Sequence, residues 1–350
     1  MPISRYPVFM QVFRIQLLIS AFLRRNAFIF ALLGALLLAF LFPALGADEG
    51  PLRAGMLGKA GVMVIFFLQG LSLKTRELAS GMQNLNVHAF VQSWIFLLSP
   101  LILWTAGFIL KTAGLPGLAA GFFYLGLLPT TISSAVAFTS AARGSVASAI
   151  FNTTFSNVLG VFWVPAGCLL FFSAGGGLQA SLLGPLLLKL AWLILLPLAA
   201  GQLLRPFAFG KPLFKALAPL FKHINQGIIL FIVFAAFCKS VLDDTWGDVS
   251  PLSILLLLGL TLSAVLLIHG SVWLSSRWML ADPAERVTAL FCGSQKTLAA
   301  GAPMAMAIFT DGTSLGETSL SLILLPLLCY HPLQLFLAAF LLPRVEIAHP

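Results

Sequence analysis

Late in the chain a very apolar stretch reads "FCGSQKTLAAGAPM" (291–304), which places Ser294, Gln295, Lys296 and Thr297 side by side. Two hydroxyls, an amide and an ammonium are followed by Gly301 and Pro303. A second run, "LLPTTISSAVAFTSAARG" (127–144), sets Ser133, Ser134 and Thr139 behind Pro129. Proline removes a backbone donor and frees a carbonyl. Freed carbonyls, hydroxyls and helix ends hold ions and anionic solute groups. Neither run makes or breaks covalent bonds by any familiar arrangement. Paired carboxylates, a His-rich cluster and a Ser-His-Asp set are all missing, so an intramembrane enzyme is disfavoured. The four cysteines form no CxxC and the five histidines no HxxxH or HExxH pattern, so no structural metal and no cofactor are expected.

Lys296 sharpens the question. A lysine at membrane depth costs about 2.5–3.5 kcal/mol on insertion scales, and the apolar sequence on both sides leaves little room to snorkel. Three roles fit it. Its ammonium bonds Ser133, Ser134 or freed carbonyls in place of a bound cation; it holds an anionic substrate group; or it loads and releases a proton. The plain alternative is a solvated lysine at a cytoplasmic helix end, or a tie to a carboxylate. No acidic residue lies between positions 86 and 172. A functional lysine predicts that Lys296→Ala abolishes transport and leaves folding largely intact.

These residues need elements to position them, and composition says which. Of 350 residues, 59% are hydrophobic and 9% charged, against roughly 25% charged in soluble domains. The chain reads as an all-α polytopic membrane protein. The formal charge of +9 points to no nucleic-acid partner, because the basic residues cluster between apolar runs. At roughly 20 residues per crossing, ten spans are expected: about 27–46, 55–73, 86–110, 117–141, 145–172, 182–204, 223–241, 252–279, 284–308 and 317–342. With the N-terminus cytoplasmic, only Arg53, Lys59, Lys111 and Lys239 fall outside, Lys189 and Lys296 fall within spans, and every other Lys and Arg falls inside. That bias places both termini in the cytoplasm. Residues 1–25 read as an interfacial amphipathic segment, with Arg5, Arg14, Arg24 and Arg25 around apolar residues at helical spacing.

The ten spans divide into a first repeat (27–173) and a second (182–343), joined near "SAGGGLQAS". Five spans per half invert the second half, the plan of an inverted-repeat secondary transporter. Spans four and nine, in matching positions, both carry the polar interruptions. Asn152 and Thr153 on span five are expected to face the same crossing, and Gln92 on span three either lines the cavity or bonds a neighbouring helix. Gly117 and Gly121 read as a packing GxxxG. Lys189 reads as a snorkelling residue, and His331 as either a packed neutral ring or a relay; Tyr124 and Tyr330 are open.

"FFLQGLSLKTREL" (66–78), residues 132–160, "FCGSQKTLAAGAPM" and "LLPLLCYHPLQL" (324–335) together resemble the bile acid:sodium symporter family, in its branch related to solute carrier family 10 member 7. The resemblance covers about residues 27–343. It implies a core domain of spans 3–5 and 8–10, in which broken helices 4 and 9 cross, a panel of spans 1, 2, 6 and 7, and alternating access. It also implies two sodium ions at the crossing. Pro129, Ser134, Thr153, Gly293 and Gln295 match the family pattern. Ala135 replaces an asparagine, Ala149 a serine, Phe291 a glutamate and Lys296 an asparagine, while Gln92 lies about a turn from the expected glutamine. The usual sodium sites are therefore not intact, and Ser134, Thr153 and Gln295 are the remaining candidates.

The expected function is secondary transport of a small, anionic organic solute, with Na+ or H+ as coupling ion, in the cytoplasmic (inner) membrane. The other reading, drawn from the resemblance, is a membrane-embedded regulator of ion (calcium) homeostasis without transport of its own. The expected partners are the lipid bilayer and the solute; oligomeric state is left open.

Overall fold

The computed structural model describes residues 27–47, 49–72, 84–172, 184–185, 188–208, 212–247, 249–310 and 318–347. The expected interfacial segment 1–25 and the joint between the two halves lie outside them. Every regular element among the described residues is helical. In chain order these are α1 (Ala27–Leu41), α2 (Ala54–Ser72), α3 (Leu85–Thr112), α4 (Pro116–Leu127), α5 (Ser133–Ala141), α6 (Val146–Phe172) and α7 (Leu188–Phe207). There follow α8 (Pro212–Leu242), α9 (Pro251–Met279), α10 (Pro283–Ser294), α11 (Leu298–Phe309) and α12 (Leu320–Val345). Seven helices, α2, α3, α6, α7, α8, α9 and α12, are long and apolar enough to cross a membrane. Backbone groups inside lipid must be satisfied within the segment, which is why the apolar runs are helical.

Many large apolar side chains lie on the outside of the bundle. Leu255, Leu266 and Leu267 on α9, Leu33 and Leu37 on α1 and Leu203 on α7 are all exposed. In water such a surface would aggregate; against acyl chains it is the expected lipid-facing coat. The first helix of the expected seventh span begins at Pro212, well before residue 223, because Pro212 and the following residues can start a helix in the flanking region.

Close helix crossings rest on small residues. A Cβ on Gly70 of α2 would strike Leu198 O of α7, and one on Gly201 of α7 would strike Phe67 O of α2. A Cβ on Gly117 would lie 2.6 Å from Leu322 Cδ1, and one on Gly121 2.6 Å from Leu322 O. The GxxxG therefore packs α4 on α12. Backbone cannot yield as a side-chain tip can, so Gly201→Ala is expected to cost about 1–3 kcal/mol. Gly34→Ala, with nothing within 4 Å of its Cβ, should be neutral; thermal unfolding of the two purified variants checks this.

Candidate ion and solute site

Two helical interruptions meet at the centre of the bundle. The first is the segment 128–132 between α4 and α5, where Leu128 turns extended (φ −67°, ψ 142°) ahead of Pro129. The second is 295–297 between α10 and α11, where Gln295 and Thr297 are extended (ψ 152° and 124°). They touch directly: Thr297 N–H donates to Pro129 O at 3.0 Å. Thr297 Oγ1 also caps α11 by accepting from Ala300 N at 3.3 Å.

Lys296 sits in the second interruption, fully buried. Its Nζ donates to Ile95 O at 2.8 Å, Leu128 O at 2.9 Å and Gly126 O at 3.0 Å. All three ammonium protons thus meet backbone carbonyls. Each acceptor is available for a local reason. Trp94–Leu98 is a π turn within α3, and Ser99 N–H goes to Trp94 O. The next residue, Pro100, has no N–H, so Ile95 O lacks a backbone donor in either register. Gly126 and Leu128 close the C-terminal end of α4, whose carbonyls carry the negative end of the helix dipole. The lysine is neither solvated nor tied to a carboxylate, and it bonds carbonyls instead of Ser133 or Ser134.

The backbone of Lys296 is held as firmly as its side chain. Gln334 Oε1 on α12 accepts from Lys296 N at 2.7 Å, and Gln334 Nε2 donates to Lys296 O at 2.8 Å. One amide thereby satisfies both backbone groups of this non-helical residue. His331 Nδ1 lies 2.9 Å from Gln334 Nε2. Tyr330 donates to Ser294 O at 2.9 Å, and Tyr124 donates to Gly301 O at 2.6 Å. Gln334 and the two tyrosine hydroxyls were not among the expected site residues. An amide and a phenol on one apolar span, three to four residues apart, are the signal that could have found them.

Around the crossing the expected residues separate into groups. Ser134 Oγ donates to Gln295 Oε1 at 2.7 Å and lies 3.2 Å from Thr131 Oγ1. Gln295 Nε2 is buried and has no hydrogen-bond partner. Ser133, one residue before Ser134, is exposed into a cavity of about 520 Å³ between α2, α5 and α6. The polar lining is Gln69, Ser72, Ser133, Ser140 and Thr154; the rest is apolar or alanine, and among the described residues no charged side chain contributes. Ser294 bonds back to Leu290 O, and Thr153 to Ala149 O. Thr139 is buried on another face of α5, beside Gly144. Gln92 Nε2 bonds Asn152 Oδ1 at 3.1 Å, so these two tie α3 to α6 and lie outside the cavity lining. Asn157, also unanticipated, donates to Thr130 O at 2.7 Å and steadies the first interruption. Phe291 stacks on Phe138 with ring centroids 5.5 Å apart, which puts an apolar contact where the resemblance would put a carboxylate. Lys189 Nζ reaches Thr310 O at 2.6 Å and so joins two helix ends.

The sequence pattern of the SBF-like CPA transporter family matches residues 26–346. The chain belongs to this family. It is 31% identical over 327 residues to "Sodium/bile acid cotransporter 7" of Rattus norvegicus, covering 92% of this chain and 93% of that one. It is 33% identical over 327 residues to "Putative symporter YfeH" of Escherichia coli K12, with coverage of 92% and 93%. An uncharacterized Pseudomonas aeruginosa protein, PA2026, is 32% identical over 326 residues, with coverage of 91% and 92%. This SBF-like chain is therefore a multi-pass membrane transporter of a small solute, and not an enzyme.

The carbonyl cage makes a stability prediction that replaces the expectation from sequence. Lys296→Met removes the ammonium from three buried carbonyls, leaving Ile95 O only Ser99 Oγ at 3.3 Å, so a loss of stability is expected. By analogy with removing one partner of a buried charged pair, the loss is roughly 3–5 kcal/mol. Gln334→Leu, which strips two bonds from Lys296 backbone, should cost less, about 1–3 kcal/mol. Thermal unfolding in detergent ranks the two.

Proposed function

We propose that this SBF-like transporter moves a small organic anion by alternating access, with Lys296 standing where a coupling cation would otherwise bind. The observation that carries the reading is the carbonyl cage: three main-chain oxygens converge on one positive charge at the meeting of two interrupted helices. Such a cage is the chemistry of a monovalent cation site, here filled by a tethered ammonium. The apolar Phe291–Phe138 contact supports independence from sodium.

The anion has its own donors. The first N–H groups of α5 lack intrahelical partners and carry the positive end of its dipole. Ser133 Oγ and the unpartnered Gln295 Nε2 stand at the same end of the helix. The cavity runs from there along Ser140 and Val146 towards the turn bearing Arg143. The excess of basic residues on that side favours a cytoplasmic opening. In this reading the ten spans form two inverted five-helix repeats, with α4–α5 and α10–α11 as the broken fourth and ninth spans. The core of spans 3–5 and 8–10 moves against a panel of spans 1, 2, 6 and 7. Both termini lie in the cytoplasm of a cell whose inner membrane holds the protein.

A thermal-shift screen of small organic carboxylates, in sodium or in choline, tests the reading on the wild type and on Lys296→Arg. A carboxylate at a hundred times its Kd should stabilise the wild type by about 2.7 kcal/mol, equally in either salt. Lys296→Arg keeps the charge but misfits the three-oxygen cage and should lose the effect. Stabilisation that requires sodium would overturn the lysine-for-cation reading.

A further inference from the structure

Glu285, in the first turn of α10, is the one buried carboxyl among the described residues, 6% exposed. Its Oε1 accepts from Ser148 Oγ of α6 at 2.9 Å. Ser148 Oγ accepts in turn from Ser145 Oγ at 3.0 Å. Ser145 is half-buried in the turn between α5 and α6, where its N–H meets Ala284 O at 3.3 Å. The hydroxyl donors therefore run one way, from a partly solvated serine through a buried one to the carboxyl. Glu285 Oε2 accepts no hydrogen bond.

The surroundings offer little fixed positive charge. His88 on α3 and Asp282 ahead of α10 are the other titratable groups within electrostatic reach, and the side-chain amide of Asn84 is a further, more distant donor toward the carboxyl. Cys292, two turns along α10, also senses Glu285. Arg286 turns away to Leu280 O and Ala281 O, and Arg143 pairs with Glu346 at 3.2 Å. An ionised carboxylate with an unbonded oxygen is costly out of water, and taking on a proton removes that charge.

We propose that Glu285 is a proton-binding site of the transporter, filled from water at the α5–α6 turn through Ser145 and Ser148. A hydronium ion gives a proton to Ser145 Oγ, whose own proton passes to Ser148 Oγ, whose proton passes to Glu285 Oε1. One hydronium and one carboxylate become one water and one carboxylic acid, and both serines end as neutral hydroxyls. The step bears on transport because the acid sits where α10 meets α6. Helix α10 leads to Gln295 and Lys296, and α6 lines the cavity. The proposal deepens the transport reading and rests on it only in making the proton the coupling ion.

Infrared pH titration of the purified full-length protein reads the site without any solute. The expected result is a carbonyl band of a protonated carboxylic acid that disappears as pH rises and is lost in Glu285→Gln. Ser148→Ala keeps the carboxyl, so its band should persist but rise more slowly after a downward pH jump; it reports the site even where Glu285→Gln fails to fold. The proposal is overturned by an unchanged band in folded Glu285→Gln, by no titrating band in the wild type, or by a band that responds to exchanging choline for sodium at constant pH. A failed carboxylate screen would leave this result standing, and a missing band would leave the anion reading standing.

Discussion

Inside a bilayer no water is available to complete a broken helix, and the centre of this protein depends on that constraint. Two helices stop midway, and each stop releases main-chain carbonyls and N–H groups that must find partners within the protein. Lys296 answers the carbonyls of α3 and α4 with one ammonium. Gln334 answers the backbone of Lys296, Asn157 answers Thr130, and Thr297 N–H joins one stop to the other. Without these bonds the interruptions would cost several kcal/mol each.

The same network divides labour at the crossing. Cationic charge is confined to the side facing α3 and α4, where it is fully bonded and closed to solvent. Neutral donors face the other way, toward the cavity lined by α2, α5 and α6. In the proposed reading, that arrangement separates holding the crossing together from recognising what passes beside it. The acidic group, Glu285, stands apart again, near the α5–α6 turn.

Much of the plan was legible in residues. Pro129 and the small and polar residues around Lys296 marked the two interruptions, whereas Pro303 falls inside α11. Lys296 was recognisable as too costly to be casual. Its partners were not. Ile95 lies 201 positions away, and its carbonyl is free only because a π turn and Pro100 coincide on a third helix. Asn152 was expected at the crossing and Gln92 either in the cavity lining or on a neighbouring helix; the two bond each other. Polarity marks a buried group as needing a partner without saying which one.

The sequence by itself determined that this chain is helical, membrane-embedded and interrupted at two places, because hydropathy and proline act locally and along the chain. Only the tertiary structure decided that the lysine caps three carbonyls, that Gln334 clamps it, and that Ser133 faces the cavity while Thr139 does not. Those outcomes depend on which faces of distant helices meet, and a rotation of about 100° per residue along a helix separates a lining side chain from a buried one.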